Sequence, residues 1–330
     1  MTDYNIKIKE IEYKIDKFGS SILKLQIDFE NINFTILNSL RKISINQIPI
    51  YAFHSDKISI FKNSSVYDNT YMKLRLSQLP IKIDHNVDFL ALKYYKDVSF
   101  MDPKLERHGD DINDIEFYFK AKNNGPSSIL DVTTNDLRII INDELIENKK
   151  LFSEEYPILL LKLRINEEIE CSMKSVLSIG ENESIFNCAN TYYDEITENR
   201  YYFMVESLGQ FDEYTILIKA CKILIEKYKI IKENITNDEY QNITTPSNMI
   251  ILEIENEDYT VMGPINYILQ STPSVIFSGI TKPNFMQKNI LLKLKVDEKH
   301  NPFKLIGQSI DECIKIYENM LGTITKLSGK

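Results

Sequence analysis

Apolar and polar residues alternate along residues 4–30, which is the pattern of strands that bury one face. A glycine and two serines interrupt the alternation at 18–21, so the pattern predicts two strands joined by a turn. From Asn31 onward the apolar positions recur every three or four residues, which predicts an amphipathic helix. Asn31 or Asn33 can cap this helix, and Pro49 ends it. Its apolar stripe consists of Phe34, Leu37, Leu40, Ser44 and Ile48.

The next stretch, residues 50–195, is rich in short apolar runs typical of strands. Residues 96–114 are polar and charged and predict a loop, and Gly-Pro-Ser-Ser at 125–128 predicts a turn. The predicted strands of this stretch are 56–62, 115–121, 137–141, 157–165 and 168–177.

A helical pattern returns after a predicted strand at 200–206 and extends over 212–232. Residues 234–248 then lack periodicity and contain Thr-Thr-Pro-Ser, so we interpret them as a linker. The apolar face of the predicted helix consists of Leu217, Ala220, Cys221, Leu224, Ile225 and Tyr228.

The same order of elements follows the linker on a smaller scale. A strand at 249–255 leads to a short helix at 261–270, and two strands at 275–280 and 288–296 come next. Asn301 and Pro302 open the last helix, because asparagine is a good N-cap and proline suits the first helical position. One face of this helix carries Ile306, Ile310, Cys313, Tyr317 and Leu321.

This repeated order predicts the fold class and the domains. Each copy leaves an apolar sheet face and an apolar helix stripe that need cover, and packing one copy on the other covers both. We therefore expect an α+β chain in which two dimerisation units form an intramolecular pseudo-dimer. The predicted first unit is 1–50 with 196–240, the β-rich inserted domain is 51–195, and the second unit is 241–330.

Composition narrows the function. The chain has 330 residues, of which 48 are acidic and 39 basic, and the net charge of -9 argues against a broad nucleic-acid-binding face. The polar start of the chain predicts no secretory signal, and the short apolar runs predict no membrane span. The four cysteines form no C-x-x-C pair and are expected to be buried in a reducing compartment.

Candidate chemistry is sparse. The acidic residues of 102–114 could be hard ligands for a metal, but their spacing fits no calcium loop and a solvated acidic loop is the preferred interpretation. The four histidines are scattered without a nucleophile–base pattern, and no phosphate-binding glycine motif occurs. We therefore predict no catalytic residue, no cofactor and no metal on this chain. The residues of the acidic segment are Asp102, Glu106, His108, Asp110, Asp111 and Asp114.

Several short motifs resemble the alpha-like assembly subunits of DNA-directed RNA polymerase. The segments LNSLRK at 37–42 and IPIYA at 48–52 are similar to the first helix and the following strand of that family. Further similar segments occur in family order: NSSVYD at 63–68, LRLSQLP at 74–80, VTTNDL at 132–137, FMVESLG at 203–209, EDYT at 257–260 and VIFSGI at 275–280. The second copy resembles the small partner subunit of that family.

The resemblance implies relatives among the third- and eleventh-largest subunits of RNA polymerase II, the archaeal D and L subunits and the bacterial alpha dimer. Their fusion in one chain resembles an arrangement in large cytoplasmic DNA viruses, which implies the host cytoplasm or the virion as the location, with the nucleus also open. Lys42, Gln47 and Tyr259 depart from the family pattern, and residues 85–115 hold no cysteine. The metal sites of some relatives are therefore not carried over.

The resemblance also implies the site. The expected function is a non-catalytic assembly platform, and the expected partners are the two largest catalytic subunits and small zinc-binding polymerase subunits, with no sequence-specific nucleic-acid binding and no membrane. Without the resemblance, a solvated pair at a helix end is the preferred interpretation of Arg41 and Lys42, and the apolar residues also fit as the core of each half. The predicted interface residues are Leu37, Leu40, Arg41, Lys42, Asn63, Arg75, Leu217, Leu224, Glu257, Asp258, Ile306, Ile310 and Tyr317.

Two rival hypotheses remain open at this level. One is an unrelated intracellular α+β interaction adaptor, whose two parts would fold without docking on each other. The other is a metal-dependent enzyme that uses the acidic segment 102–114.

Overall fold

A computed structural model of the chain describes residues 6–15, 21–30, 33–82, 115–125, 128–147, 151–152, 154–236, 249–284 and 288–329. Its strands are β1 Ile6–Ile15, β2 Ser21–Phe29, β3 Ile50–Ala52, β4 Ile58–Asn63, β5 Ile115–Lys122, β6 Ile129–Thr133, β7 Arg138–Ile141, β8 Glu144–Ile146, β9 Leu159–Arg164, β10 Glu168–Lys174, β11 Val176–Ser178, β12 Ala189–Thr197, β13 Arg200–Ser207, β14 Met249–Glu255, β15 Val275–Thr281 and β16 Asn289–Val296. Its α-helices are α1 Phe34–Asn46, α2 Asn69–Ser77, α3 Glu213–Thr236, α4 Tyr259–Ser271 and α5 Pro302–Leu327.

Two antiparallel sheets carry the helices predicted to pair. The first has the order β1-β2-β13-β12 and contacts α1 and α3. The second has the order β14-β16-β15 and contacts α4 and α5. We call these elements, with their helices, the first half and the second half. In both sheets alternate residues are buried, as expected when one face of a sheet is covered by helices.

The elements between β3 and β12 form a separate unit, and we call residues 51–188 the β-rich region. Its main sheet has the order β4-β10-β5-β7-β8, and β6 and β9 form a second, two-stranded sheet. This region has its own cluster of buried side chains, distinct from the cluster that the two halves share.

Strand β3 lies where the two cores meet. It pairs with β11 in a short antiparallel ribbon. Ile50 and Ala52 point into the core shared by the two halves, whereas Tyr51 and Phe53 point into the core of the β-rich region. The alternation of side chains along an extended chain therefore lets a few residues serve two cores.

Most predicted elements are confirmed, with corrections to two helix stripes. Phe34 is 49% exposed rather than part of the stripe of α1, because it is the first helical residue and has no preceding turn to pack over. Leu321 is only partly buried, since the stripe of α5 continues from Tyr317 through Met320 and Ile324 at spacings of three and four.

The prediction for the β-rich stretch missed elements. Helix α2 was not predicted, although Asp68 caps it by accepting a hydrogen bond from the Tyr71 amide at 2.7 Å. Segment 168–177 is two strands rather than one, because β10 pairs with β4 and β5 whereas β11 pairs with β3 in a different sheet. Strands β6, β8 and β12 were also missed, whereas β3 lies in the segment 48–52 that the resemblance matched to a strand. Strand β12 belongs to the sheet of the first half, so the predicted boundary at 195 falls inside it.

Some predictions fall on residues that the structure does not describe. The whole of the predicted loop 96–114, including the acidic segment 102–114, lies outside the described residues, as do 18–20 and 126–127 of the two predicted turns. Helix α3 extends to Thr236, so the first part of the predicted linker is helical, and the remainder, 237–248, also lies outside them.

Candidate subunit interface

The predicted apolar interface residues lie together in the core shared by the two halves. All of them are fully buried, and they come from α1, α3 and α5. Helices α3 and α5 lie against each other, as do α1 and α4. The residues concerned are Leu37, Leu40, Leu217, Leu224, Ile306, Ile310 and Tyr317.

Two buried tyrosines cross between the halves in a reciprocal way. The Tyr228 hydroxyl of α3 donates to the Val261 carbonyl of α4, and the Tyr317 hydroxyl of α5 donates to the Ile36 carbonyl of α1, both at 3.1 Å. Their rings stack with centroids 5.8 Å apart. Burial raises the pKa of both phenols well above the ordinary value, so both remain hydrogen-bond donors.

The positions of these contacts in their helices are equivalent. Tyr228 is the sixteenth residue of α3 and Tyr317 the sixteenth of α5, since those helices begin at residues 213 and 302. Val261 is the third residue of α4 and Ile36 the third of α1, which begin at residues 259 and 34. Each half therefore gives the other the same contact at the same helix positions.

The N-terminal turns of α1 and α4 approach closely. A Cβ atom added at Gly263 would lie 3.9 Å from the side chain of Thr35. The Ser39 hydroxyl donates to the Thr260 carbonyl across this contact. Asp258, predicted as an interface residue, caps α4 by accepting a hydrogen bond from the Thr260 amide at 2.7 Å, and Asn33 caps α1 in the same way. Small and capping residues thus let the two helix ends meet.

Charged residues also join the halves. Lys227 of α3 forms an ion pair with Glu257 at 2.9 Å, and their side chains are only 17% and 13% exposed. Burial raises the pKa of the Glu257 carboxyl, while the nearby Lys227 ammonium opposes that rise. Sequence reasoning predicted Glu257 but not its partner, because nothing local marks one lysine among several on α3.

Arg41 and Lys42 have partners within the chain. The Arg41 guanidinium donates to the Asn38 side chain, and the Arg41 carbonyl accepts from the Thr191 hydroxyl. The Lys42 ammonium lies 3.9 Å from the Asp258 carboxylate of the second half. Both side chains remain partly exposed, so these contacts leave them accessible to another protein.

Asn63 and Arg75 lie in the β-rich region, apart from the helical interface. Asn63 holds a turn, since its side chain accepts from the Ser65 amide and donates to the Tyr67 carbonyl. Arg75 of α2 donates to the Leu160 carbonyl at 2.6 Å and to the Leu159 carbonyl at 2.9 Å. The guanidinium therefore fastens α2 to strand β9.

We expect Arg75→Ala to lower the free energy of unfolding of the chain by about 2–3 kcal/mol, because two charge-assisted hydrogen bonds are lost. Arg75→Lys should recover less than half of this loss in the free energy of unfolding, since a lysine ammonium cannot donate to two carbonyls in the planar geometry of a guanidinium. Urea denaturation measures both changes, with Lys73→Ala on the same helix as the control, expected within about 0.5 kcal/mol. A loss no larger than that of the control would contradict this role.

A groove runs beside α2 on the β-rich region. Its volume is about 970 Å³, and it lies between α2 and the residues 183–185. Leu74, which is 61% exposed, and the exposed Tyr71 both line this groove. The Tyr71 ring stacks on the Tyr67 ring, with the ring centroids 4.8 Å apart. Neighbouring exposed apolar side chains of this kind are typical of protein-binding surfaces.

The cysteines are free and buried, as predicted. Burial raises the pKa of Cys171 and Cys221 to about 12, so these thiols are held in the unreactive protonated form. Within the described stretches, no group of three histidine, cysteine or acidic side chains could hold a metal ion. In the same stretches, no helix is long and apolar enough to cross a membrane.

Comparison with known proteins identifies relatives of both halves. The RNA polymerase Rpb3/Rpb11 dimerisation domain matches residues 26–228, and a second profile with the same description matches residues 249–323. A protein of Acanthamoeba polyphaga mimivirus that carries the name of a DNA-directed RNA polymerase subunit is 26% identical over 350 residues, which cover 98% of this chain and 94% of the relative.

Cellular relatives match shorter parts of the chain. Subunit Rpo3 of the DNA-directed RNA polymerase of Methanocaldococcus jannaschii is 26% identical over 190 residues, which cover 58% of this chain and 79% of that subunit. Subunit 3B of RNA polymerases IV and V of Arabidopsis thaliana is 24% identical over 192 residues, which cover 56% of this chain and 54% of that subunit. The first profile alone spans more than half of the chain. The chain therefore belongs to the Rpb3/Rpb11 dimerisation-domain family of RNA polymerase subunits.

Proposed function

We propose that this chain is a non-catalytic structural subunit of a DNA-directed RNA polymerase, in which two dimerisation units form an intramolecular pseudo-dimer. The observation that carries the proposal is the reciprocal pair of contacts made by Tyr228 and Tyr317. Equivalent contacts in both directions support pairing of two related units rather than packing of unrelated domains. Two family matches on one chain support the same conclusion.

The proposed domain boundaries follow from the sheets. The first dimerisation unit comprises residues 6–50 and 189–236, the second comprises 249–329, and the β-rich region at 51–188 is inserted in the first. The position of β12 supports a boundary near 188 rather than 195. Covalent joining gives the second unit a high effective concentration beside the first.

The surface formed by α1 and the β-rich region would dock the two largest catalytic subunits, and small zinc-binding subunits would bind nearby. The exposed apolar side chains beside the α2 groove support this placement, because the described part of the chain leaves them uncovered. Arg41 and Lys42 lie on α1 and can hold carboxylates or carbonyls of a partner. The mimivirus relative supports a viral polymerase as the setting.

Co-purification tests the function. The full-length tagged chain, co-expressed with the two largest subunits of its polymerase, should retain both, as mass spectrometry of the captured material would report. Leu74→Asp should reduce their recovery at least about tenfold, because it places a charge among desolvated apolar groups. Leu145→Asp is the matched control, since Leu145 is 73% exposed on β8 of the same region and should behave as the parent chain.

The outcomes separate two failures. Loss of both large subunits from the unaltered chain would remove the assembly function. Retention by the unaltered chain and equally by Leu74→Asp would remove only the α2 groove from the docking surface. No contact in the described part of the chain favours the alternative of an unrelated adaptor.

A further inference from the structure

Among the described residues, three ion pairs between the helical elements of the two halves share one direction. Lys227 pairs with Glu257 at 2.9 Å, Lys232 with Asp311 at 2.6 Å, and Lys42 approaches Asp258 at 3.9 Å. In every case the lysine belongs to the first half and the carboxylate to the second. The tyrosine contacts of this interface are symmetric, whereas these charges are not.

The three ion pairs differ in how strongly they contribute to the interaction between the halves. Lys227 and Glu257 are largely buried, so removing or reversing one partner would leave the other charge poorly solvated. Lys232, Asp311, Lys42 and Asp258 are each about two-fifths exposed, and solvent screens such pairs. The Lys227–Glu257 pair therefore dominates the charge interaction between the halves.

Pairing of two first halves would lose these attractions. Asp311 is the tenth residue of α5, and the tenth residue of α3 is Lys222. In such a pair Lys232 would therefore meet a lysine instead of a carboxylate. The neutral Asn33 caps α1 where Asp258 caps α4, so Lys42 would also lose its acidic partner.

Pairing of two second halves would be less favourable in free energy than pairing of two first halves. Lys227 is the fifteenth residue of α3, and the fifteenth residue of α5 is Ile316. The buried Glu257 would then face an aliphatic side chain and would have no cation beside it. Uncompensated burial of a carboxylate is strongly unfavourable, so this pairing is opposed by more than the loss of an attraction.

We propose that this charge pattern makes the helical face of the first half selective for an acidic partner of the second-half type, and so prevents pairing of like halves. The inference rests on the pseudo-dimer of the proposed function and adds the chemistry by which the units select each other. Lysines on one unit and carboxylates on the other favour the unlike pair and disfavour both like pairs, which is how charged positions specify partners in helical assemblies.

In the part of the chain that the structure describes, the ion pair of Lys288 with Glu181 has the opposite direction but lies away from the paired helices. Lys288 of the second half contacts Glu181 of the β-rich region at 3.2 Å. Glu181 follows β11, and its amide bonds to the Asn46 carbonyl at the end of α1. Both side chains are solvent-accessible and neither lies on the paired helices, so this contact carries little weight in selecting the partner helix face.

A charge-reversal cycle in the intact chain tests the dominant pair. Lys227→Glu and Glu257→Lys should each lower the equilibrium constant for folding at least about a hundredfold. The double reversal should have an equilibrium constant at least about tenfold higher than either single reversal. Reversal of Glu226 and Lys229, an exposed ion pair within α3, is the matched control and should change the constant less than about threefold. Additive effects of the two single reversals of Lys227 and Glu257 would overturn the proposal.

Partner selection is measured on the full chain carrying a protease site between residues 237 and 248, cut after folding. Two preparations with different tags on the first piece are mixed, diluted until the pieces exchange, and analysed by native mass spectrometry. We expect unlike pairs in at least about tenfold excess over pairs of two first pieces or two second pieces. Reversing Lys42, Lys227 and Lys232 together to glutamate should remove most of this excess.

The outcomes again separate the two ideas. Like and unlike pairs in equal amounts from the unaltered sequence would overturn charge selection while leaving pairing intact. Pieces that separate on cutting and never re-associate would remove the pseudo-dimer itself, and with it the basis of the proposed function.

Discussion

Replacing Tyr317 by alanine is expected to lower the free energy of unfolding by about 3–5 kcal/mol, the range found when a large aromatic side chain is removed from a core. The ring is fully buried against Tyr228 at the centre of the four-helix contact, so its removal leaves a cavity that both halves line. The substitution also deletes the hydrogen bond to the Ile36 carbonyl. Urea denaturation followed by circular dichroism measures the change.

Conservative variants separate packing from hydrogen bonding. Tyr317→Phe retains the ring and should lose only about 1 kcal/mol. Tyr228→Phe should lose a similar amount, because its hydroxyl makes the equivalent contact in the other direction. Tyr192→Ala, at a side chain that is 53% exposed, is the control and should change stability by less than about 0.5 kcal/mol. A Tyr317→Ala chain as stable as the Tyr192→Ala chain would show that the halves are not packed through this residue.

The helices of the interface could be predicted from sequence because their signal is local. The apolar positions of α3 and α5 recur every three or four residues, and all the interface residues predicted on them are buried. Periodicity states that a face is covered but does not identify what covers it. The hydroxyl of Tyr228, counted only as an apolar position, finds its acceptor on a helix of the other half.

The elements that sequence reasoning missed lack such a signal. Helix α2 buries few side chains and exposes Leu74, so its pattern has no clear stripe, and only the Asp68 cap could have indicated it. Strand β12 buries its first residues and then leaves the core, so its alternation is short. Ion pairs between distant segments, such as Lys227 with Glu257, depend on tertiary placement that no local pattern contains.

Replacing Lys227 by methionine should lower the free energy of unfolding by about 3–5 kcal/mol at pH 7, because it leaves the Glu257 carboxylate buried without its cation. The pKa of Glu257 is already raised by burial, and loss of Lys227 removes a group that opposes the rise. A carboxyl whose pKa is higher in the folded than in the unfolded chain binds its proton more tightly when folded. Stability therefore increases as the pH falls through the folded pKa toward the ordinary value near 4.5.

The difference in stability between the parent chain and Lys227→Met should accordingly shrink between pH 7 and pH 5, as urea denaturation at both values would measure. Adding Glu257→Gln to Lys227→Met should recover most of the loss at pH 7, because no charge then remains buried. Lys229→Met, at an exposed position two residues along α3, is the control and should show neither effect. A difference that stays constant with pH and does not respond to Glu257→Gln would mean that Lys227 stabilises the interface by packing rather than by its charge.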